Sequence, residues 1–111
     1  MAYYRDGLKV PNHIWEAAAM HRLILVECRM PHCGNQGIFD PHALWWLFER
    51  RGWDGYFRVA ERRFYCRPCS TVRHFRVKNA QMSPIGAGNV THPLPMPSEL
   101  DWKKFLSRHR G

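Results

Sequence analysis

Acidic residues are scarce in this sequence of 111 residues, which has nine Asp and Glu against 17 Lys and Arg. The formal net charge at neutral pH is therefore +8. A surplus of this size predicts a polyanionic partner, with nucleic acid first and an anionic membrane or an acidic protein second. The few carboxylates also supply two-metal nuclease chemistry poorly.

Long hydrophobic segments are missing as well. No apolar run approaches the ~20 residues that a membrane-spanning helix needs. Residues 1–13 hold no apolar segment of the secretory type. We therefore expect a cytoplasmic protein without membrane contact, and a reducing compartment disfavours structural disulfides. The length suits a chain with one main domain.

Familiar catalytic patterns are also absent. No Ser/His/Asp set, paired-carboxylate pattern or glycine-rich phosphate loop stands out, and no small-molecule substrate is evident. A zinc deaminase would need His-x-Glu and a proline before its downstream Cys-x2-Cys, but the sequence has no His-x-Glu, and Tyr65 precedes Cys66. We therefore expect a protein that is not an enzyme. A small metal-dependent enzyme is the weakest alternative, because it would need an open metal site.

Apolar periodicity predicts an α+β fold. Helices are expected over 11–22, 41–51 and 55–63, and strands over 23–28, 38–40, 63–66 and 71–79. The central helix has the clearest boundaries: Asp40 is a good N-cap, Pro41 suits the first helical position, and Gly52 is a natural stop. Strict alternation over 71–79 favours a strand with one basic face.

The C-terminal part differs in composition. Four of the eight prolines lie in 81–97, which predicts a linker or an extended arm that wraps the domain. Ser98 and Asp101 then form a capping-box variant at the start of a short basic helix. We therefore divide the chain into a domain with its N-terminal helix over 1–80, the arm over 81–97 and the helix over 98–111.

The four cysteines are arranged as two close pairs. Cys28-x4-Cys33 is followed, after 32 residues, by Cys66-x2-Cys69. Two short cysteine turns supply the four soft ligands of a tetrahedral zinc ion. Gly34 directly after Cys33 fits such a turn, since a positive φ is often needed there. The sequence thus predicts one structural zinc ion bound by Cys28, Cys33, Cys66 and Cys69.

The stretches "CRMPHCG" and "FYCRPCS", with the helical segment 40–63 between them, resemble small, mostly uncharacterised bacterial zinc-ribbon proteins. The resemblance covers about residues 23–79. It implies a zinc-ribbon-like domain with two cysteine knuckles on short β-strands and a helical insert between them. This sequence departs from the pattern in the four residues within its first knuckle and in the missing glycine of its second.

Alternatives to this ligand set remain open. His32 can replace Cys33 as a ligand, which would give Cys-x3-His. A pair of structural disulfides is disfavoured by the expected compartment. A redox role for "CRPC" would need a cysteine at a helix N-terminus, whereas the pattern after Cys69 favours a strand. With four thiolates the zinc shell is closed, and its net negative charge is offset by nearby arginines: Arg29, Arg63 and Arg67.

The middle of the chain carries the densest charge. Residues 50–78 hold nine Arg or Lys and two acidic residues. On the predicted elements, these side chains would contact phosphate: Arg58, Arg62, Arg73, Arg76 and Lys78. Our first hypothesis is a zinc protein that binds DNA or RNA, or attaches to a nucleic-acid-processing machine. The second is a protein–protein adaptor or subunit, docked through its Trp-rich helix and through its proline-rich arm with the terminal helix.

Overall fold

A computed structural model describes residues 3–5, 8–31, 33–74 and 77–110. It is an α+β structure, as predicted. The strands are β1 (Tyr3–Arg5), β2 (Leu8–Val10), β3 (Leu23–Cys28), β4 (Gln36–Phe39) and β5 (Ala80–Ile85). The α-helices are α1 (Ile14–Ala19), α2 (Pro41–Arg51), α3 (Phe57–Ala60), α4 (Arg67–Arg73) and α5 (Glu99–Arg110), with a 3-10 turn at Glu61–Arg63.

A three-stranded antiparallel sheet with the order β4-β3-β5 forms the centre of the structure. The predicted strand over 23–28 is confirmed as its middle strand, in which Val26 pairs with Gly37 on one side and Met82 on the other. β1 and β2 pair separately as an antiparallel hairpin. Cys28 is the last residue of β3 and therefore lies at one end of the central strand of the sheet.

The start of the predicted arm is part of this sheet. β5 pairs along the whole of β3, from Leu23 opposite Ile85 to Cys28 opposite Ala80. Its outer edge is protected, because the Met82 N–H donates to a Glu61 carboxylate oxygen at 2.8 Å and Pro84 has no N–H to offer. The proline content of 81–97 predicted an arm rather than a strand. Prolines are, however, tolerated at the edge of a sheet, where β5 lies.

Helix α2 begins and ends where the sequence predicts. The Asp40 side chain accepts hydrogen bonds from the N–H groups of His42 and Ala43, at 2.9 and 3.1 Å. Gly52 ends the helix with φ +67°, a left-handed conformation that glycine adopts without strain. The predicted N-terminal helix is shorter, starting at Ile14. The predicted helix over 55–63 is confirmed as α3 with its 3-10 turn.

The strands predicted over 63–66 and 71–79 are wrong. Cys66 and Val77 form an isolated bridge, and helix α4 lies between them. Pro68 in the first turn favours a helix start. Val72 is 78% exposed whereas Val77 is buried, so these two alternating apolar residues do not share a buried face. His74 ends the helix in a left-handed conformation.

The hydrophobic core lies between the sheet and helices α1, α2, α3 and α5. Its most buried side chains include Ile14, Ile24 and Leu44. Helix α5 begins as predicted, with the Ser98 hydroxyl accepting from the Asp101 N–H at 3.1 Å and donating to its carboxylate at 2.8 Å. Among the described residues, no helix combines the length and apolar character that crossing a membrane requires.

Candidate metal centre and the basic surface around it

The first cysteine pair is positioned by the sheet and a tight turn. The Cys28 N–H donates to the Asn35 carbonyl at 2.9 Å, and the Cys33 N–H donates to the Met30 carbonyl at 3.2 Å. Gly34 has φ +68°, which confirms the positive φ expected after the second cysteine. Backbone hydrogen bonds therefore fix this knuckle independently of its thiols.

The second cysteine pair lies at the start of α4. The Cys66 N–H donates to the Val77 carbonyl at 3.0 Å, and the Ser70 hydroxyl accepts from the Val77 N–H at 2.9 Å. Cys66 is buried, but no residue of α4 is. This knuckle is thus held by a backbone bridge and by side-chain hydrogen bonds rather than by packing of the helix.

The two pairs come together in one cluster. All four sulfurs lie within 4.8 Å of one another, with Cys28 and Cys69 at 3.8 Å and Cys33 and Cys66 at 3.5 Å. Thiolates at about 2.3 Å from a tetrahedral zinc ion would be about 3.8 Å apart. All four are free cysteines rather than disulfide partners. The cluster is therefore compatible with a bound metal ion.

The thiols differ in their tendency to ionise. Burial acts to raise the pKa of Cys66, but hydrogen bonds from the Cys69 backbone, the Asn35 amide and neighbouring thiols outweigh it and lower this pKa to about 7. A hydrogen bond with Cys33 raises the pKa of Cys69 to about 12, and burial raises the pKa of Cys28. The first thiolate thus forms readily, whereas further thiolates beside it require a compensating cation.

The helix after Cys66 removes the sequence argument against a redox role, which rested on a strand at this place. The geometry supplies another argument. The sulfur–sulfur contacts at 3.8 and 3.5 Å, Cys28 with Cys69 and Cys33 with Cys66, each join a cysteine of the first knuckle to one of the second. A redox Cys-x2-Cys pair works with its own two sulfurs, whereas a metal site shares all four. His32, the alternative ligand, lies outside the described residues, so its role stays a prediction.

The predicted phosphate-binding residues are distributed over several elements. Arg58 belongs to α3, Arg62 to the 3-10 turn and Arg73 to the last turn of α4, and Lys78 follows Val77; all four are exposed. Arg76 lies outside the described residues. Salt bridges among the described residues pair acidic side chains with Arg29, His42 and Arg108. The exposed positions of the four predicted residues make their charges accessible to a partner.

Two residues near the cluster were missed by the sequence analysis. The Asn35 amide donates to the Cys66 sulfur at 3.4 Å, and its position directly after the Cys-Gly turn was a usable signal. His92 stacks on Phe39 with centroids 5.1 Å apart, and a Cβ on Gly37 would come within 2.9 Å of its ring. Nothing in the sequence places His92 here, because it arrives from the C-terminal arm.

The chain matches no protein-family model and shows no significant similarity to any curated protein or solved structure. The resemblance to zinc-ribbon proteins therefore rests on the two cysteine knuckles and the helical segment between them.

Proposed function

We propose that this protein binds nucleic acid through an arginine-rich surface that one structural zinc ion holds in place. The observation that carries the proposal is the four-cysteine cluster, with its sulfurs within 4.8 Å of one another. It joins the central sheet to the segment that bears Arg62, Arg73 and Lys78. The metal site therefore lies where it can fix the basic residues relative to the core.

The donor set supports zinc in particular. Four thiolates are a common ligand set for structural zinc, and no position of a four-coordinate shell is left for water or substrate. Such a site stabilises a fold rather than performing a reaction, so we propose a protein that is not an enzyme. The four thiolates leave a net charge of −2 on the site. The exposed guanidinium groups of Arg29 and Arg67, in the two knuckles, reduce that cost.

Helix α4 explains why the basic surface would need the metal. None of its residues is buried, and an isolated helix of seven residues is unstable in water. Zinc bound to Cys66 and Cys69 would anchor both its first residues and the chain beside them. Arg73, at the other end of this helix, then gains a fixed position. The basic surface and the metal site are thus linked through one short helix.

Paired charge reversals test this proposal. Arg58→Glu with Arg73→Glu should weaken nucleic-acid binding at least tenfold at fixed salt, because phosphate contacts dominate such affinities. Lys103→Glu with Lys104→Glu is the matched control, since it makes the same change in net charge on exposed residues of α5. Binding is measured by fluorescence anisotropy and zinc content by mass spectrometry. Equal losses in both double variants, or no loss in either, would contradict a specific surface.

The adaptor hypothesis has less support. It relied on the Trp-rich helix meeting another chain, but Trp45 is buried and contacts Trp102 and Phe105 of the same chain, with ring centroids 4.9 Å away in each case. Trp46 is half-buried, with the Arg50 guanidinium 5.3 Å from its ring centroid. The aromatic rings of α2 are therefore largely used within the molecule.

A further inference from the structure

A groove beside the cysteine cluster has the size of a ligand site. Its outer part has a volume of about 540 Å³, within the roughly 300–1,000 Å³ typical of small-molecule pockets. A small inner cavity of about 90 Å³ reaches Cys28 and Cys66. The two parts share five lining residues: Asn35, Phe39, Phe64, Tyr65 and His92.

The charge of this groove is complementary to an anion. Among the described residues, Arg63 and Arg67 line its outer part, and no carboxylate does. The Arg63 guanidinium lies 4.6 Å from the centroid of the Trp53 ring, a cation–π contact that restrains it. In the inner cavity, the carboxylate among the described lining residues is that of Glu27, which pairs with Arg29 at 3.8 Å. A phosphate at the outer rim would therefore meet the positive charges of Arg63 and Arg67.

The remaining walls are flat and aromatic. Phe39 is buried and supports two rings, with Phe64 edge-on at 5.6 Å and His92 stacked at 5.1 Å. Thr91 fixes the backbone beside His92, since its hydroxyl accepts from the Ile38 N–H at 2.9 Å. Tyr65, 41% exposed, adds a large ring at the surface. Planar walls with arginines at the rim match the chemistry of a nucleobase and its phosphate.

We infer that this groove binds an unpaired nucleobase, with Tyr65 and His92 contacting the base and Arg63 and Arg67 the adjacent phosphate. The inference rests on the proposed function and narrows it to single-stranded nucleic acid. A paired base is stacked inside its duplex and cannot enter a groove of this kind. The exposed Arg58 and Arg73 would then contact phosphates of the same strand outside the groove, without regard to its bases.

The test compares three ligands of equal length at one salt concentration: an oligothymidylate, an abasic strand and a duplex. Wild-type full-length protein should bind the oligothymidylate about tenfold more tightly than the abasic strand, because bases that stack on aromatic side chains add to the affinity. Tyr65→Ala should remove this preference, and Tyr65→Phe should retain it. Arg58→Ala should weaken binding of both strands alike. Zinc content and circular dichroism confirm that each variant is folded.

The outcomes separate the two proposals. Equal wild-type affinity for the strand with bases, the abasic strand and the duplex, or a preference that survives Tyr65→Ala, would overturn the groove assignment and leave the proposed function standing. Binding of free thymidine monophosphate as tightly as the strand would overturn the assignment to single-stranded nucleic acid. If wild-type protein binds none of the ligands, the proposed function fails and the groove assignment fails with it.

Discussion

The two cysteine knuckles reach the same cluster from supports of very different strength. Cys28 ends the middle strand of the sheet, which is paired on both sides, and its turn is closed by backbone hydrogen bonds. Cys66 and Cys69 lie at the start of α4, a helix without a buried residue. The first knuckle is thus organised by the fold. We expect the second to depend on the metal ion proposed for the four thiols, and the basic residues near it to share that dependence.

Removal of the metal should produce the largest difference between the two knuckles. After treatment with a chelator, we expect backbone amides of α4 to lose their protection from hydrogen exchange, while amides of β3 keep theirs. Structural zinc sites bind with apparent free energies of about 10–16 kcal/mol in small zinc peptides, so the local effect should be large. Hydrogen exchange with mass spectrometry measures both regions in one sample. Equal loss of protection in β3 and α4 would show that the two knuckles unfold as one unit.

A substitution in the core should instead destabilise the fold and leave the metal site intact. Changing the fully buried Leu44 to alanine should lower the unfolding free energy by about 2–5 kcal/mol, because a cavity forms in the core. The folded variant should still bind one zinc ion, since the cluster lies outside this core. Chemical denaturation and zinc analysis measure the two effects. Val72→Ala, at an exposed position, is the control and should change stability by less than about 0.5 kcal/mol. Loss of zinc from the folded Leu44→Ala variant would show that the metal site is not independent of the core.

A smaller change tests the hydrogen bond between Ser70 and Val77 in the second knuckle. Ser70→Ala removes the acceptor for the Val77 N–H and should cost about 1 kcal/mol locally, partly offset by the better helix propensity of alanine. We expect faster exchange of the Val77 amide and an unchanged melting temperature. Thr71→Ala, at the next and exposed position, is the matched control. Slower exchange of the Val77 amide in Ser70→Ala than in the wild-type protein would show that the hydrogen bond does not hold the knuckle.

Local sequence signals predicted the fold best where the residues that define an element lie within it or directly next to it. Asp40, Pro41 and Gly52 define α2 through capping and backbone conformation, and the structure confirms its bounds. The strand over 23–28 was evident because it is buried and apolar. The four cysteines came together as their spacing predicted.

The missed features depend on contacts between distant parts of the chain. β5 was read as an arm because its pairing with β3, more than fifty residues earlier, has no local signature. The strand predicted over 71–79 overlaps only the last turn of α4, and it rested on alternating apolar residues. A helix without a buried residue leaves no periodic apolar pattern in the sequence. The position of His92 beside the cluster follows only from the path of the arm after β5. The candidate metal site was therefore predictable, but the groove beside it was not.

Acid should reveal a pH dependence that belongs to the packed core rather than to the cysteine cluster. His42, in the first turn of α2, contacts His21 and Trp102 with ring centroids 5.7 and 4.8 Å away. Burial lowers its pKa below the ordinary 6.5 and His21 lowers it further, while Asp40 acts in the opposite direction. The unfolded chain therefore binds more protons than the folded one between the lowered pKa and 6.5.

The unfolding free energy should consequently rise with pH through this window and level off above 6.5. The pKa of His42 is measurable by NMR titration of its ring protons, and the same titration in urea gives the unfolded reference. In His42→Gln, the decline in stability on acidification should be shallower. Because this variant leaves the thiols unchanged, any acid-induced loss of zinc should persist in it. A His42 that titrates above its value in urea would reverse the sign and contradict the assigned cause.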